Sequence, residues 1–92
     1  MILPFFTTGP WAVEVINHVD LGVDEYNVIS SDDMIIAKCG VTGEAFCDAN
    51  LIAAAPELYH ALEALLLRCE GLDNALLWQC INALKKARGE NE

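Results

Sequence analysis

Residues 34–56 read Met34-Ile35-Ile36-Ala37-Lys38-Cys39-Gly40-Val41-Thr42-Gly43-Glu44-Ala45-Phe46-Cys47-Asp48-Ala49-Asn50-Leu51-Ile52-Ala53-Ala54-Ala55-Pro56. The change of pattern at Gly40-Val41-Thr42-Gly43 decides the fold. Before it, Met34 to Cys39 reads as a strand. After it, from Glu44, the chain is rich in alanine and leucine, both strong helix formers. Upstream, Trp11 to Ile16 alternates as Trp-Ala-Val-Glu-Val-Ile, a strand pattern. Asn17 to Asp24 is a polar connection containing Gly22, and Tyr26 to Ile29 reads as a second strand. Ser30-Ser31-Asp32-Asp33 supplies turn chemistry, because short polar side chains bond to nearby backbone groups. Short connections between three strands imply an antiparallel meander.

Downstream, Pro56 interrupts the helical run, since proline lacks a backbone donor and clashes with the preceding turn. It is tolerated at the start of a helix, and Glu57 suits the positive end of the helix dipole. The expectation is a short helix at about 44–55 and a second at about 56–70, with Leu58, Leu62, Leu65, Leu66 and Cys69 as its apolar stripe. Gly71 suits the helix stop. Asp73 caps a third helix, with Leu72 and Leu77 at hydrophobic-staple positions. Leu76, Leu77, Cys80, Ile81 and Leu84 form its apolar face, and Lys85, Lys86 and Arg88 fall at its negative end. The predicted fold is α+β: a three-stranded antiparallel meander at 11–39, then a helical hairpin region at 44–88 (a short helix, the proline break and two longer helices) packed on one sheet face. Residues 1–10 form a lead-in and 89–92 a frayed tail of the same single domain. The other sheet face is left to polar alternate residues or to a partner.

The chain has 92 residues, 54% hydrophobic and 21% charged, with 14 acids against 5 bases and a formal charge of −9. That composition is too apolar for a disordered chain and too broken by charge for a membrane span. The imbalance is local: residues 1–60 hold nine acids against Lys38 alone. No basic stripe exists for direct nucleic-acid binding or for an anionic membrane. The acidic half instead suits a positively charged protein surface. Cys39, Cys47, Cys69 and Cys80 have no C-x-x-C spacing, which argues against a zinc knuckle or a redox pair and for reduced thiols in a cytoplasm. The apolar start, Met1 to Thr8, has no positive flank and no cleavage site, so no signal peptide is expected.

Catalytic patterns are absent from the sequence. Glu57-Leu58-Tyr59-His60 matches Glu-x-x-His, but di-iron bundles need two such motifs and two further glutamates, so a helical ion pair between Glu57 and His60 is expected in place of a metal site. Ser30 and Ser31 have no histidine near them in sequence, and neither a nucleophile elbow nor a phosphate loop occurs. Neither enzyme activity nor a cofactor is expected. Asp20, Asp24, Glu25, Asp32 and Asp33 crowd the two strand connections and form the candidate acidic partner surface. They lack the ligand alternation and fixed glycine of a calcium loop. Tyr59 and Trp78, at the edges of their helical stripes, are candidate aromatic anchors, a residue type enriched in binding hot spots.

The segments Thr7-Thr8-Gly9-Pro10-Trp11 and Gly43-Glu44-Ala45, followed by Ala49-Asn50-Leu51-Ile52-Ala53-Ala54-Ala55-Pro56-Glu57-Leu58 and Ala61-Leu62-Glu63-Ala64-Leu65, resemble a group of small phage and prophage proteins. That group begins near T-P-G-P-W and carries a helical segment of the type NAxLIAAAPELLEAL. The similarity covers about a third of the chain. Phe46-Cys47-Asp48 and Tyr59-His60 depart from the pattern, and no catalytic residue carries over. The resemblance implies a bacterial host cytoplasm and an accessory phage role. Combined with the acidity, the expected function is binding to a host protein complex with a basic surface, as an inhibitor of a defence system of the anti-CRISPR kind. The alternatives are a small-molecule or metal-binding sponge at a dimer interface, and a structural or regulatory oligomer. A homodimer is expected from the small size and the spare sheet face.

Overall fold

The computed structural model describes residues 6–90. Residues 1–5 of the expected lead-in, Phe5 included, and residues 91–92 of the expected tail lie outside the described residues. Three strands, β1 (Ala12–His18), β2 (Val23–Ile29) and β3 (Ile35–Gly40), form one antiparallel sheet in the order β1-β2-β3. Three helices follow: α1 (Gly43–Ala53), α2 (Ala55–Arg68) and α3 (Asn74–Ala87). The α+β meander-then-helices architecture is therefore the one the pattern change at Gly40–Gly43 implies. By contact density the chain gathers into two compact units, Thr8–Pro56 and, within the described residues, 6–7 with 57–90.

In the first unit α1 lies across the sheet, over β2 and β3 and reaching β1. Ala45 and Ala49, one helical turn apart, are both fully buried, as is Val28 of the central strand. Two small side chains at that spacing let the helix backbone approach the sheet closely. Tyr26 shares Val28's face of β2 and meets Phe46 of α1 edge-on, with ring centroids 5.4 Å apart. Alternation and register then put Val13, Val15 and Asn17 on the α1 face of β1, and Glu14, Ile16 and His18 on the opposite face.

Strand boundaries differ from the sequence reading at one informative place. β2 begins at Val23, so Asp24 and Glu25 are strand residues and not part of a connection. Both are poor strand formers by propensity, but cross-strand pairing with Asn17 and Ile16 overrides it. The two turns follow the expected chemistry. His18 O accepts from the N–H groups of Leu21 and Gly22, and Gly22 adopts φ +69°. Ser30 is buried, and its Oγ accepts from the N–H groups of Asp32 and Met34 while Asp33 takes φ +64°. An aspartate tolerates that left-handed conformation better than most side chains do.

Gly9 sits against Pro56: a Cβ built at Gly9 would come within 3.1 Å of the Pro56 Cβ. The two segments that carry the family resemblance thus touch at this point, across 46 intervening residues of chain. A side chain at that position would crowd the Pro56 ring, which would have to give by a few tenths of an ångström.

In the second unit Asp73 caps α3 as expected, its Oδ1 accepting from Ala75 N–H at 2.8 Å. The end of α3 is more ordered than a frayed tail. Gly89, at φ +79°, donates to Lys86 O and Glu90 donates to Lys85 O, which together make a Schellman closure. The apolar stripes are buried along only part of their width. Leu84 is buried, whereas Leu58, Leu65 and Leu76 of the expected stripes are exposed, as is Cys69. α2 stops at Arg68, three residues before Gly71.

Candidate functional site

A meander sends its successive connections to opposite ends of the sheet. Asp20 lies in the loop between β1 and β2, and Asp32 and Asp33 lie in the turn between β2 and β3. The seven residues of β2 separate them by about 20 Å. The five candidate acids therefore form two groups and not one patch. Asp24 sits at the Asp20 end of β2. Glu25 is held inside the sheet surface: His18 Nε2 and Glu25 Oε1 are 2.8 Å apart. The hydrogen bond from His18 holds the Glu25 carboxyl below the ordinary glutamate value, against a smaller opposing effect of burial, and Asn27 and the charge of Lys38 add to the lowering.

Each acidic end also carries exposed apolar side chains that a reading of the connections as polar overlooks. Val19 and Leu21 flank Asp20 and are 86% and 74% exposed, and Met34 beside Asp33 is 65% exposed. For Val19 and Leu21 the signal was present in the sequence as isolated apolar residues inside a polar connection, where no core is available to them; Met34 reads as the start of a strand.

The face of the sheet opposite α1 carries polar alternates. Glu14, Asn27 and Lys38 are cross-strand neighbours in one row, with Glu25 and His18 beside them. Asn27 is 1% exposed and its Oδ1 has no hydrogen-bond partner among the described residues. Lys38 and Cys39 of β3 together with Asp48, Leu51 and Ile52 of α1 line a shallow open groove of about 400 Å³.

The two aromatic candidates differ. Tyr59 is engaged within its own unit: its hydroxyl accepts from Arg88 Nη1 at 3.2 Å, and its ring meets Phe6 edge-on at 5.1 Å. The Tyr59 and Glu90 contacts hold the Arg88 guanidinium still more firmly in its charged form. Trp78 is 58% exposed on α3. His60 pairs with Glu63, at 3.9 Å, where a pair with Glu57 was expected. Among the described residues no group of three or more His, Cys, Asp or Glu side chains is placed to hold a metal ion, and the four cysteines are free thiols. No described helix is long and apolar enough to cross a membrane.

The sequence profile of the family described as Salmonella phage P22 protein Y8K6 matches residues 1–91. The chain belongs to that family. No curated protein and no solved structure matches it. For this member of the P22 protein Y8K6 family, the chemistry open to inspection is that of its surfaces: two acidic, apolar-tipped sheet ends, an exposed tryptophan, and a polar sheet face.

Proposed function

We propose that this phage protein works by binding: in the bacterial cytoplasm it occupies a basic surface of a host protein complex and inhibits it, in the manner of an anti-CRISPR. The charge of the unit Thr8–Pro56 carries this reading. Glu14, Asp20, Asp24, Glu25, Asp32, Asp33, Glu44 and Asp48 stand against Lys38 alone. Of these eight acids only Glu25 is in an ion pair among the described residues. Carboxylates left unpaired keep their field, which steers encounters with cationic surfaces and fixes register on them. The same field repels a nucleic-acid backbone, so the partner is a protein. Two acidic ends about 20 Å apart fit two basic patches flanking a channel better than a single basic pocket. Val19, Leu21 and Met34 supply apolar contact beside them, and Trp78 a residue of hot-spot type.

The test is affinity capture from host lysate with mass spectrometry, repeated with two variants, Asp20→Lys/Asp24→Lys and Asp32→Lys/Asp33→Asn. Asparagine is chosen at position 33 because it tolerates the positive φ. A nucleic-acid-processing complex retained by the native chain, and released by either variant and by raised salt, is the expected result. Equal retention by all three proteins would refute the acidic mechanism.

A further inference from the structure

The two edges of the sheet are built differently. β3 carries two register shifts against β2 and has Lys38 within it, both devices that discourage a further strand from pairing. β1 has neither. Its seven residues pair with β2 without a shift, and it contains no proline, lysine or bulge. Val15 and Ile16 at its centre are 50% and 38% exposed. A regular, partly apolar and unguarded edge is a template for another strand.

We infer that β1 pairs antiparallel with β1 of a second copy of this chain, on a two-fold axis at Ile16, to give a continuous six-stranded sheet. The register follows from charge and geometry. In a symmetric antiparallel pair, facing residues must point their backbone groups at each other, so the axis passes through a residue and not between two. An axis at Glu14 sets two carboxylates face to face. An axis at Val15 leaves Glu14 opposite Ile16 and makes the two glutamates diagonal neighbours on one face, about 7–8 Å apart. An axis at Asn17 leaves only Ile16–His18 paired within the strands. The axis at Ile16 pairs residues 14–18 with 18–14. It sets Glu14 of each copy opposite His18 of the other, with the two Ile16 side chains against each other between these pairs. Glu14, Ile16 and His18 lie on the same face, so the pairs are in direct reach. The one acidic residue of β1 thereby meets the strand's one basic side chain, twice.

Each copy's charge of −9 opposes this association. Added salt therefore tightens it, the reverse of the effect on a contact between acidic and basic surfaces.

Light scattering of the full chain over a concentration series is the first experiment. The expected mass is twice the chain's 10.0 kDa, falling to the single-chain value in Ile16→Lys, which sets two like charges on the axis. Ile35→Lys, at an exposed position on the guarded edge, is expected to stay dimeric. A native chain that remains single up to high micromolar concentration overturns the inference. So does a dimer that survives Ile16→Lys with an unchanged circular dichroism spectrum, or one dissociated by Ile35→Lys instead. Should Ile16→Lys fail to fold, hydrogen exchange of the native chain decides. Amide protection at 14–18 that rises with concentration supports the pairing, and protection independent of concentration refutes it.

Discussion

The unit Thr8–Pro56 and the helices of residues 57–90 both expose apolar side chains, Val19, Leu21, Met34 and Leu51 of the first by 65–86%, but they differ in how completely they enclose a core. In the first, Val28, Ala45 and Ala49 are wholly enclosed. In the second, Leu84 is buried while Leu58, Leu65, Leu67, Leu76 and Trp78 are 45–83% exposed. Charge divides in the same way, with eight acids against one base in the first unit and near balance in the second. A small close-packed core needs only three or four side chains if two are alanines that bring a helix onto a sheet. An amphipathic helix whose stripe is left half open keeps apolar area available for contacts.

The contrast breaks most visibly if packing is changed. Ala49→Leu, under α1, is expected to cost about 1–3 kcal/mol by forcing the helix off the sheet. Ala64→Leu, exposed on α2, should stay within about 0.5 kcal/mol. Urea denaturation of the two variants compares them directly, and equal losses would remove the distinction between the units. Next in size is the α3 cap. Asp73→Ala strands the Ala75 N–H and is expected to cost about 1 kcal/mol, seen as a lower thermal midpoint with the sheet's spectrum unchanged.

The smallest effect is one of pH. Glu25 titrates below its ordinary value in the folded chain because His18 bonds its carboxylate. Its stabilising contribution is therefore fully present above the unfolded glutamate value of 4.5 and is lost as pH falls through the lower folded value. Glu25→Gln should flatten that part of the acid limb of a stability–pH curve. An unchanged limb would show that the His18 contact is not maintained in solution.

Much of this was legible along the chain. The alternation of Trp11–Ile16, the shift to alanine and leucine after Gly43, the Asp73 cap and the turn chemistry of Ser30–Asp33 all act through neighbours a few residues away, and local physics is what sequence pattern records. The start of β2 was hidden because Asp24 and Glu25 look like loop residues until His18, across the hairpin, gives one of them a partner. The apolar residues at Val19, Leu21 and Met34 are visible in the sequence, but how exposed they are depends on what else packs nearby.

The sequence by itself determined the order of elements, the meander, the helix ends and the excess of negative charge, since each depends on spacing and composition. Only the tertiary structure decided how that charge is distributed. It sent the two connections to opposite ends of a sheet, tied Glu25 to His18, and brought Gly9 onto Pro56. It also left β1 as a regular unguarded edge while β3 acquired its bulges. Those outcomes depend on which distant residues meet, and hydrogen-bonded strand pairing and close packing determine that only when the whole chain is folded.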